Sequence, residues 1–211
     1  MLVIDGDEET RECDCMTKRR SIWRMERSGL KSVIGRMTFA TYRTDEDWQK
    51  SAKTLAVKYA KDHGEAWFYA GGQPGSGKTH ICTAIFGYLL KQGLDARYMP
   101  WRDEAISLRA QITDDVGYRD SINPFKTSPV LYIDDFLKCA PDKTPSPAEL
   151  GLAFEIINYR YNNPQLVTMI SSEYDIDHIM ELDEAVGSRI YERAKEFSLI
   201  IPRGEGRNLR L

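Results

Sequence analysis

Residues 72–79 read GQPGSGKT, which fits the pattern G-x4-G-K-[ST] of a phosphate-binding P-loop. The apolar segment Ala66–Ala70 precedes it and an apolar pattern of helical period follows it, and this strand-loop-helix context identifies the motif. Glycines let the backbone fold close around phosphates, so that successive N–H groups and the helix N-terminus point at them. We therefore predict a nucleotide site formed by Gly72, Pro74, Gly75, Ser76, Gly77, Lys78, Thr79 and His80.

Two acids end the next strongly apolar segment, PVLYIDD at residues 129–135. A short run that is apolar on both faces is typical of a central parallel strand. Beside a P-loop, the first acid, Asp134, is expected to support Mg²⁺ together with the Thr79 hydroxyl, and the second, Asp135, to act as general base on the attacking water. The alternative is a pair of acids that merely caps a strand end.

Short apolar segments alternate with amphipathic segments along the chain, which predicts an α/β fold with a parallel sheet wrapped by helices. The Ser146 to Glu149 segment combines a capping box with a proline at the first helical position, and Gly93 is expected to end the helix after the P-loop. The predicted strands are 66–70, 94–99, 129–134, 166–171 and 197–202, and the predicted helices are 48–60, 81–92, 147–161 and 183–195.

Composition limits the class of protein. The chain has 211 residues, 42 % of them hydrophobic, which suits one ATPase domain at 38–211 and a charged appendage at 1–37. No apolar run approaches the roughly 18 to 20 residues of a membrane span, the N-terminus is acidic, and the four cysteines are scattered, so we expect a cytoplasmic protein. The net charge of −3 disfavours regulators that bind duplex DNA.

The combination of motifs resembles the DnaC/DnaI-like helicase loaders, especially phage and prophage versions. The P-loop, IDD at 133–135, NYRYN at 158–162, SSE at 171–173 and GSRIYERA at 187–194 occur in the order and spacing of that family. The resemblance covers residues 21–205 and is shared by the transposition helper IstB. It implies an AAA+ P-loop three-layer sandwich with a central parallel sheet and no C-terminal helical lid. It also implies ATP/ADP and Mg²⁺ as ligands, slow ATP hydrolysis, self-association with ATP, single-stranded DNA binding and a hexameric replicative helicase as partner.

The resemblance also implies roles for residues after the Asp134-Asp135 pair. Many AAA+ proteins carry glutamate at the second acid, so the shorter Asp135 leaves the rate of hydrolysis open. At the end of the following strand, where the family keeps a sensor residue near the γ-phosphate, Ser172 has the chemistry to orient a water, and Glu173 stands where related loaders often have asparagine. The alternative is a plain turn at the end of the strand. Arg189 and Arg193, one helical turn apart, are candidates to reach the γ-phosphate of a neighbouring subunit.

Arg189 and Arg193 also have an interpretation without a catalytic role. On an exposed helix they would form i+3 ion pairs with Glu192 and Glu196. Each such pair contributes only about 0.2 to 0.5 kcal/mol.

The N-terminal appendage departs from the family, whose loaders usually have a larger helicase-binding domain, often with a zinc site. Only Cys13 and Cys15 remain here, and two thiolates cannot complete the four ligands of a structural zinc site. The stretch Lys18–Arg27 is a helicase-docking candidate, with a basic helix that packs Trp23 on its own domain as the alternative. For single-stranded DNA, the candidate residues are Trp101, Arg102 and Arg109.

Three other functions stay open. An IstB-like helper would couple the same ATPase to a transposase. A nucleotide-dependent inhibitor or adaptor would bind helicase or loader without turnover. A P-loop small-molecule kinase would need an arginine-bearing lid between the later strands, and the predicted helix 147–161, followed directly by a strand, leaves little room for one.

Overall fold

The computed structural model describes Met16, Arg19, Trp23 and residues 30–140 and 143–209. Its five strands are β1 (Phe68–Gly72), β2 (Ala96–Pro100), β3 (Val130–Asp134), β4 (Val167–Ser171) and β5 (Ser198–Ile201). They pair in parallel in the order β2-β3-β4-β1-β5. The carboxyl ends of β1, β3 and β4 therefore meet at one edge of the sheet, which is where open α/β sheets bind their ligands.

Helices cover both faces of this sheet. They are α1 (Lys31–Ile34), α2 (Asp47–Asp62), α3 (Lys78–Lys91), α4 (Trp101–Ala110), α5 (Asp115–Thr127), α6 (Pro147–Tyr161), α7 (Ile176–Leu182) and α8 (Glu184–Ala194). One buried cluster joins the sheet to α2 and α3, and a second joins its other face to α4 through α8. The predicted three-layer α/β architecture is confirmed, and within the described residues no helix follows β5.

Local signals in the sequence account for the main boundaries. Ser146 and Glu149 form the capping box at the start of α6, with Pro147 at the first position. Gly93 adopts φ 87° after α3, and the next N–H, of Leu94, returns to the carbonyl of Leu89, as expected of a left-handed helix end. The segments α4, α5 and α7 were not predicted from the sequence.

A buried arginine joins helices α5 and α6 and the segment before β3 to strand β4. Arg160, in α6, has 0 % exposure, and its Nε donates to the Thr168 hydroxyl at 2.8 Å. Its two terminal nitrogens donate to four backbone carbonyls, those of Phe125, Lys126, Ser128 and Val167. Burial lowers the pKa of Arg160 to about 9. The central residue of the NYRYN motif is therefore structural.

The segment before α2 packs on the main domain. Leu30 is buried in the cluster that contains α2 and α3, and Ile34 packs against the same cluster. Among the helices of the described residues, none is both long enough and apolar enough to cross a bilayer. Cys13 and Cys15, and most of the docking candidate Lys18–Arg27, lie outside the described residues. Trp23, within that stretch, is 53 % exposed.

Candidate nucleotide site

The P-loop connects β1 to α3 and has the conformation that its glycines predict. Gly72, Gly75 and Gly77 adopt φ of 104°, 76° and 87°, a region that favours glycine. A Cβ at Gly72 would also collide with the Ile201 carbonyl. The Lys78 ammonium lies within the loop and donates to the carbonyls of Gly72 at 2.7 Å and Gln73 at 2.6 Å. These contacts hold the loop closed around a charged donor, as a phosphate cradle requires.

The two predicted Mg²⁺ ligands contact each other beneath the loop. The Thr79 hydroxyl donates to Oδ1 of Asp134 at 3.2 Å. Asp134, at the end of β3, is 8 % exposed and also accepts hydrogen bonds from the hydroxyls of Tyr98, Tyr132 and Ser171. A hydroxyl and a carboxylate are the oxygen donors that Mg²⁺ prefers. The donor set therefore fits a magnesium ion held by Thr79 and Asp134.

Beyond Asp134, Lys138 forms ion pairs with two carboxylates, and these three residues line a cavity beside the P-loop. Lys138 donates to Oδ2 of Asp135 and to Oε1 of Glu173, each at 2.9 Å. Asp135 adopts φ 54°, and its N–H donates to Ser171 Oγ at 3.2 Å. Burial lowers the pKa of Lys78 to about 8, against the opposing effect of the Glu173 and Asp135 charges. The carboxylates of Asp135 and Glu173 thus lie close enough to influence the P-loop lysine.

The cavity next to the P-loop has a volume of about 380 Å³. Lys78, Thr79, Asp135 and Glu173 all line it, and residues of the segment 37–43 together with Leu209 complete the lining. Sequence reasoning did not predict the contributions of segment 37–43, Lys138 or Leu209. Charged groups that converge on one cleft, among them a lysine whose pKa is shifted, mark a candidate functional site.

His80 lines this cavity but does not have the phosphate-binding geometry of the loop. Its Nε2 lies 3.0 Å from the Thr38 carbonyl, and its ring is edge-on to Tyr42 with centroids 5.2 Å apart. Burial lowers the pKa of His80. The imidazole therefore holds the segment around Thr38 and Tyr42 against α3.

The segment after β5 contacts the P-loop from outside. The Gly204 N–H donates to Oε1 of Gln73 at 2.7 Å, and the Leu209 N–H donates to the Gly75 carbonyl at 2.9 Å. The Asn208 side chain occupies the space that a Cβ on Gly75 would take. We refer to residues 204–209 as the P-loop strap.

The structure does not bring Ser172 to the cavity. Ser172 is fully buried, and its hydroxyl donates to the Phe136 carbonyl at 2.9 Å and accepts from the Tyr174 N–H at 3.2 Å. Glu173 lines the cavity in its place. The hydroxyl of the preceding residue, Ser171, contacts Asp134, so the alternation of side chains along the strand directs the two serines differently.

Arg189 and Arg193 lie on α8 and do not line the cavity of their own chain. Arg189 donates to Asn158 and to the Ala185 carbonyl, and its guanidinium lies over the rings of Phe154 and Tyr161. The ion pairs expected with Glu192 and Glu196 do not occur among the described residues.

Glu192 and Arg193 have other partners than those predicted. The Glu192 carboxylate accepts from the Tyr161 hydroxyl at 2.6 Å. Arg193 donates to the Pro164 carbonyl at 2.8 Å and lies over Trp67. The simple picture of an exposed helix with i+3 ion pairs therefore does not describe α8.

The proposed single-stranded DNA surface needs correction. Trp101 is 1 % exposed and packs edge-on against Phe136, so its ring cannot stack on bases. Arg109 contacts the Ser146 hydroxyl at 3.3 Å and lies 3.7 Å from Glu149, at the start of α6. Of the three candidates, only Arg102 is exposed and without such a contact in the core.

Known proteins resemble this chain over most of its length. It is 33 % identical over 205 residues to the uncharacterized protein YqaM of Bacillus subtilis (strain 168), covering 92 % of this chain and 64 % of YqaM. It is 29 % identical over 207 residues to the phage-like element PBSX protein XkdC of the same strain, covering 93 % of this chain and 76 % of XkdC. The replicative helicase loader DnaC of Buchnera aphidicola subsp. Schizaphis graminum is 24 % identical over 196 residues, covering 91 % and 75 %. The chain spans less than two thirds of the length of YqaM. No protein-family model matches.

Solved structures share the fold. The crystal structure of the DnaC helicase loader matches with a TM-score of 0.62 and 21 % identity, over 79 % of this chain and 96 % of that one. The replication initiator DnaA bound to AMPPCP and single-stranded DNA matches with a TM-score of 0.64 and 16 % identity, over 79 % and 50 %. These relatives and the shared AAA+ fold confirm the resemblance of this chain to the DnaC/DnaI-like proteins.

Proposed function

We propose that this chain binds Mg-ATP at residues 72–79 and hydrolyses it. The contact between Thr79 and Asp134 carries the proposal, because it joins the P-loop to the end of β3 with two oxygen donors suited to Mg²⁺. Asp135 lines the same cavity as Lys78 and Thr79. One cleft therefore contains a phosphate cradle, a pair of magnesium ligands and a carboxylate that can act as a base.

Different residues of the site bind the phosphates, hold Mg²⁺ and accept a proton. Backbone N–H groups of the loop and the Lys78 ammonium bind phosphate oxygens, and Thr79 and Asp134 hold Mg²⁺. When bound, Mg²⁺ supplies positive charge that balances the charge of the phosphates. Asp135 orients the attacking water and accepts its proton. Hydrogen bonds from four hydroxyls keep the Asp134 carboxylate in place during hydrolysis.

We further propose that turnover serves the loading of a replicative helicase. The support is the relationship to the Buchnera protein named replicative helicase loader DnaC, which aligns over 91 % of this chain. The relation to XkdC, a phage-element protein, favours a phage or prophage setting. An IstB-like role with a transposase is the competing assignment, because the nucleotide site would be the same.

Two measurements test the proposal. Lys78→Ala should abolish ATP binding in calorimetry, because it removes the cation fixed within the loop, whereas Lys91→Ala, at the exposed end of the same helix, should bind normally. A pull-down of the host replicative helicase, with and without ATP, should recover the helicase with the wild type. Wild-type affinity of Lys78→Ala would refute the site, and capture of a transposase instead of helicase would refute the loader assignment.

A further inference from the structure

Negative charge in the nucleotide cavity is unexpected for a site that must hold a polyanion. Asp135 and Glu173 both line this cavity, together with Lys78 of the P-loop. Without a counter-charge, two carboxylates there would repel the terminal phosphate of a nucleotide. Lys138 supplies that counter-charge, since its ammonium lies 2.9 Å from each carboxylate.

The backbone holds Lys138 at this position. Asp135 and Leu137 both adopt positive φ, 54° and 59°, so the chain turns sharply after β3. The Phe136 N–H donates to the Ser171 carbonyl at 2.8 Å, and the side chains of Phe136 and Leu137 are fully buried. The Lys138 N–H closes the turn on the Asp135 carbonyl at 3.0 Å. Lys138 therefore leaves a fixed turn, with its ammonium directed into the cavity between two acids.

Lys78 and Lys138 occupy different places relative to the phosphates. Lys78 lies inside the P-loop and contacts the carbonyls of Gly72 and Gln73, so it stands where diphosphates and triphosphates both place phosphate groups. Lys138 is paired instead with Asp135, which the proposed function places beside the water that attacks the third phosphate. The third phosphate, which a diphosphate lacks, is therefore the part of the nucleotide nearest to Lys138. An ammonium has three donors, so Lys138 can exchange a carboxylate for a phosphate oxygen without losing its other partner.

We propose that Lys138 is the residue that distinguishes a nucleoside triphosphate from a diphosphate at this site, by donating to the terminal phosphate while Glu173 anchors it. This inference rests on the proposed ATP-binding function. It assigns to a lysine on the loop after β3 the recognition that the sequence had suggested for Ser172. Ser172 cannot provide it in this structure, because its hydroxyl is engaged with the Phe136 carbonyl.

The test compares affinities for ADP and for β,γ-methylene-ATP, which does not hydrolyse. Lys138→Met and Lys138→Gln should each weaken the triphosphate analogue by about tenfold, as loss of a hydrogen bond to a charged group does, and leave ADP affinity unchanged. Lys138→Arg keeps the charge and should retain most of the preference. Lys143→Met is the matched control, because Lys143 is exposed and does not line the nucleotide cavity. It should change neither affinity.

Two kinds of failure can be told apart. If the wild type binds both nucleotides and depends on Lys78, but Lys138→Met and Lys138→Gln weaken both equally or neither, the role of Lys138 is refuted and the ATP site stands. If the wild type binds neither nucleotide, or Lys78→Ala binds as well as the wild type, the proposed function itself fails. Thermal melting of each variant confirms that the compared proteins are equally folded.

Discussion

Arg189 Nε donates to the side-chain oxygen of Asn158 at 3.1 Å, which ties α8 to α6 on a surface away from the nucleotide cavity of the same chain. The guanidinium also lies over the rings of Phe154 and Tyr161, with centroid distances of 5.3 and 5.4 Å. Phe154 is one of the exposed large hydrophobic residues. Arg189 is thus held in a fixed orientation next to an exposed aromatic ring, outside the nucleotide cavity of its own chain.

The first prediction concerns action of Arg189 in trans. Arg189→Ala should bind ATP as a monomer but lose turnover by about 10³ to 10⁵, the range measured for positioned arginines in related phosphoryl transfer. Mixing it with Lys78→Ala should restore some hydrolysis, because each variant supplies the half-site that the other lacks. Steady-state ATPase assays of the single variants and the mixture measure this. Arg119→Ala, on the exposed face of α5, is the control and should behave as the wild type.

A contrary result is equally clear. If Arg189→Ala hydrolyses ATP at the wild-type rate and only melts at a lower temperature, the contacts with Asn158, Phe154 and Tyr161 are structural. The search for a residue that acts in trans would then move to Arg193.

The second prediction separates binding from chemistry at Asp135. Asp135→Asn should keep nucleotide affinity, because Lys78, Thr79 and Asp134 remain. It should lose turnover by about 10² to 10⁴, since an amide cannot accept the proton of water. Calorimetry and phosphate release measure the two effects, with Asp62→Asn at the exposed end of α2 as the control. Equal phosphate release by Asp135→Asn and the wild type would remove Asp135 as the base.

The third prediction concerns helicase capture by the N-terminal appendage. The structure suggests a truncation that starts at Leu30, because Leu30 and Ile34 pack into the core beside α2 and α3. Deletion of residues 1–29 should leave a folded ATPase that no longer captures helicase in a pull-down. Trp23→Ala in the full chain provides a milder test, since Trp23 is exposed. Undiminished capture by the truncated protein would move the docking site into the ATPase domain.

The fourth prediction concerns stability. Arg160→Met should destabilise the fold by about 3 kcal/mol or more, because four carbonyls and the Thr168 hydroxyl lose a buried donor. The free energy of unfolding from urea titration measures this. Arg102→Met, at an exposed position on α4, should change stability little. A loss below about 1 kcal/mol for Arg160→Met would show that water or rearranged neighbours satisfy these carbonyls.

Local sequence signals identified the features that depend on neighbours in the chain. The P-loop, the apolar strand that ends at Asp134, and the capping box at Ser146 all have fixed spacings, and the structure has each of them in the predicted element. The limits of β1 to β5 differ from the predicted limits by at most two residues. These features follow from backbone geometry and short-range hydrogen bonds, which leave a pattern in the sequence.

Features that depend on tertiary contacts were harder to predict. Trp101 beside Arg102 resembles a nucleic-acid surface in sequence, but the ring is buried against Phe136, which comes from another loop. The bridge from Lys138 to Glu173 joins the loops after β3 and β4, and no local periodicity marks it. For Ser172, the period of two along a strand could have indicated that its side chain points away from that of Ser171.

The P-loop strap places the chain beyond β5 at the mouth of the nucleotide cavity, because Gly204 and Leu209 are hydrogen-bonded to the loop itself. Segment 37–43 lines the same cavity. A fluorophore that is sensitive to its surroundings, attached at the exposed residue Arg43, would therefore lie beside the bound nucleotide, and its emission would report occupancy without a modified nucleotide. For the same reason, a bulky tag should not be attached close to the P-loop strap, because the tag would lie beside the ligand.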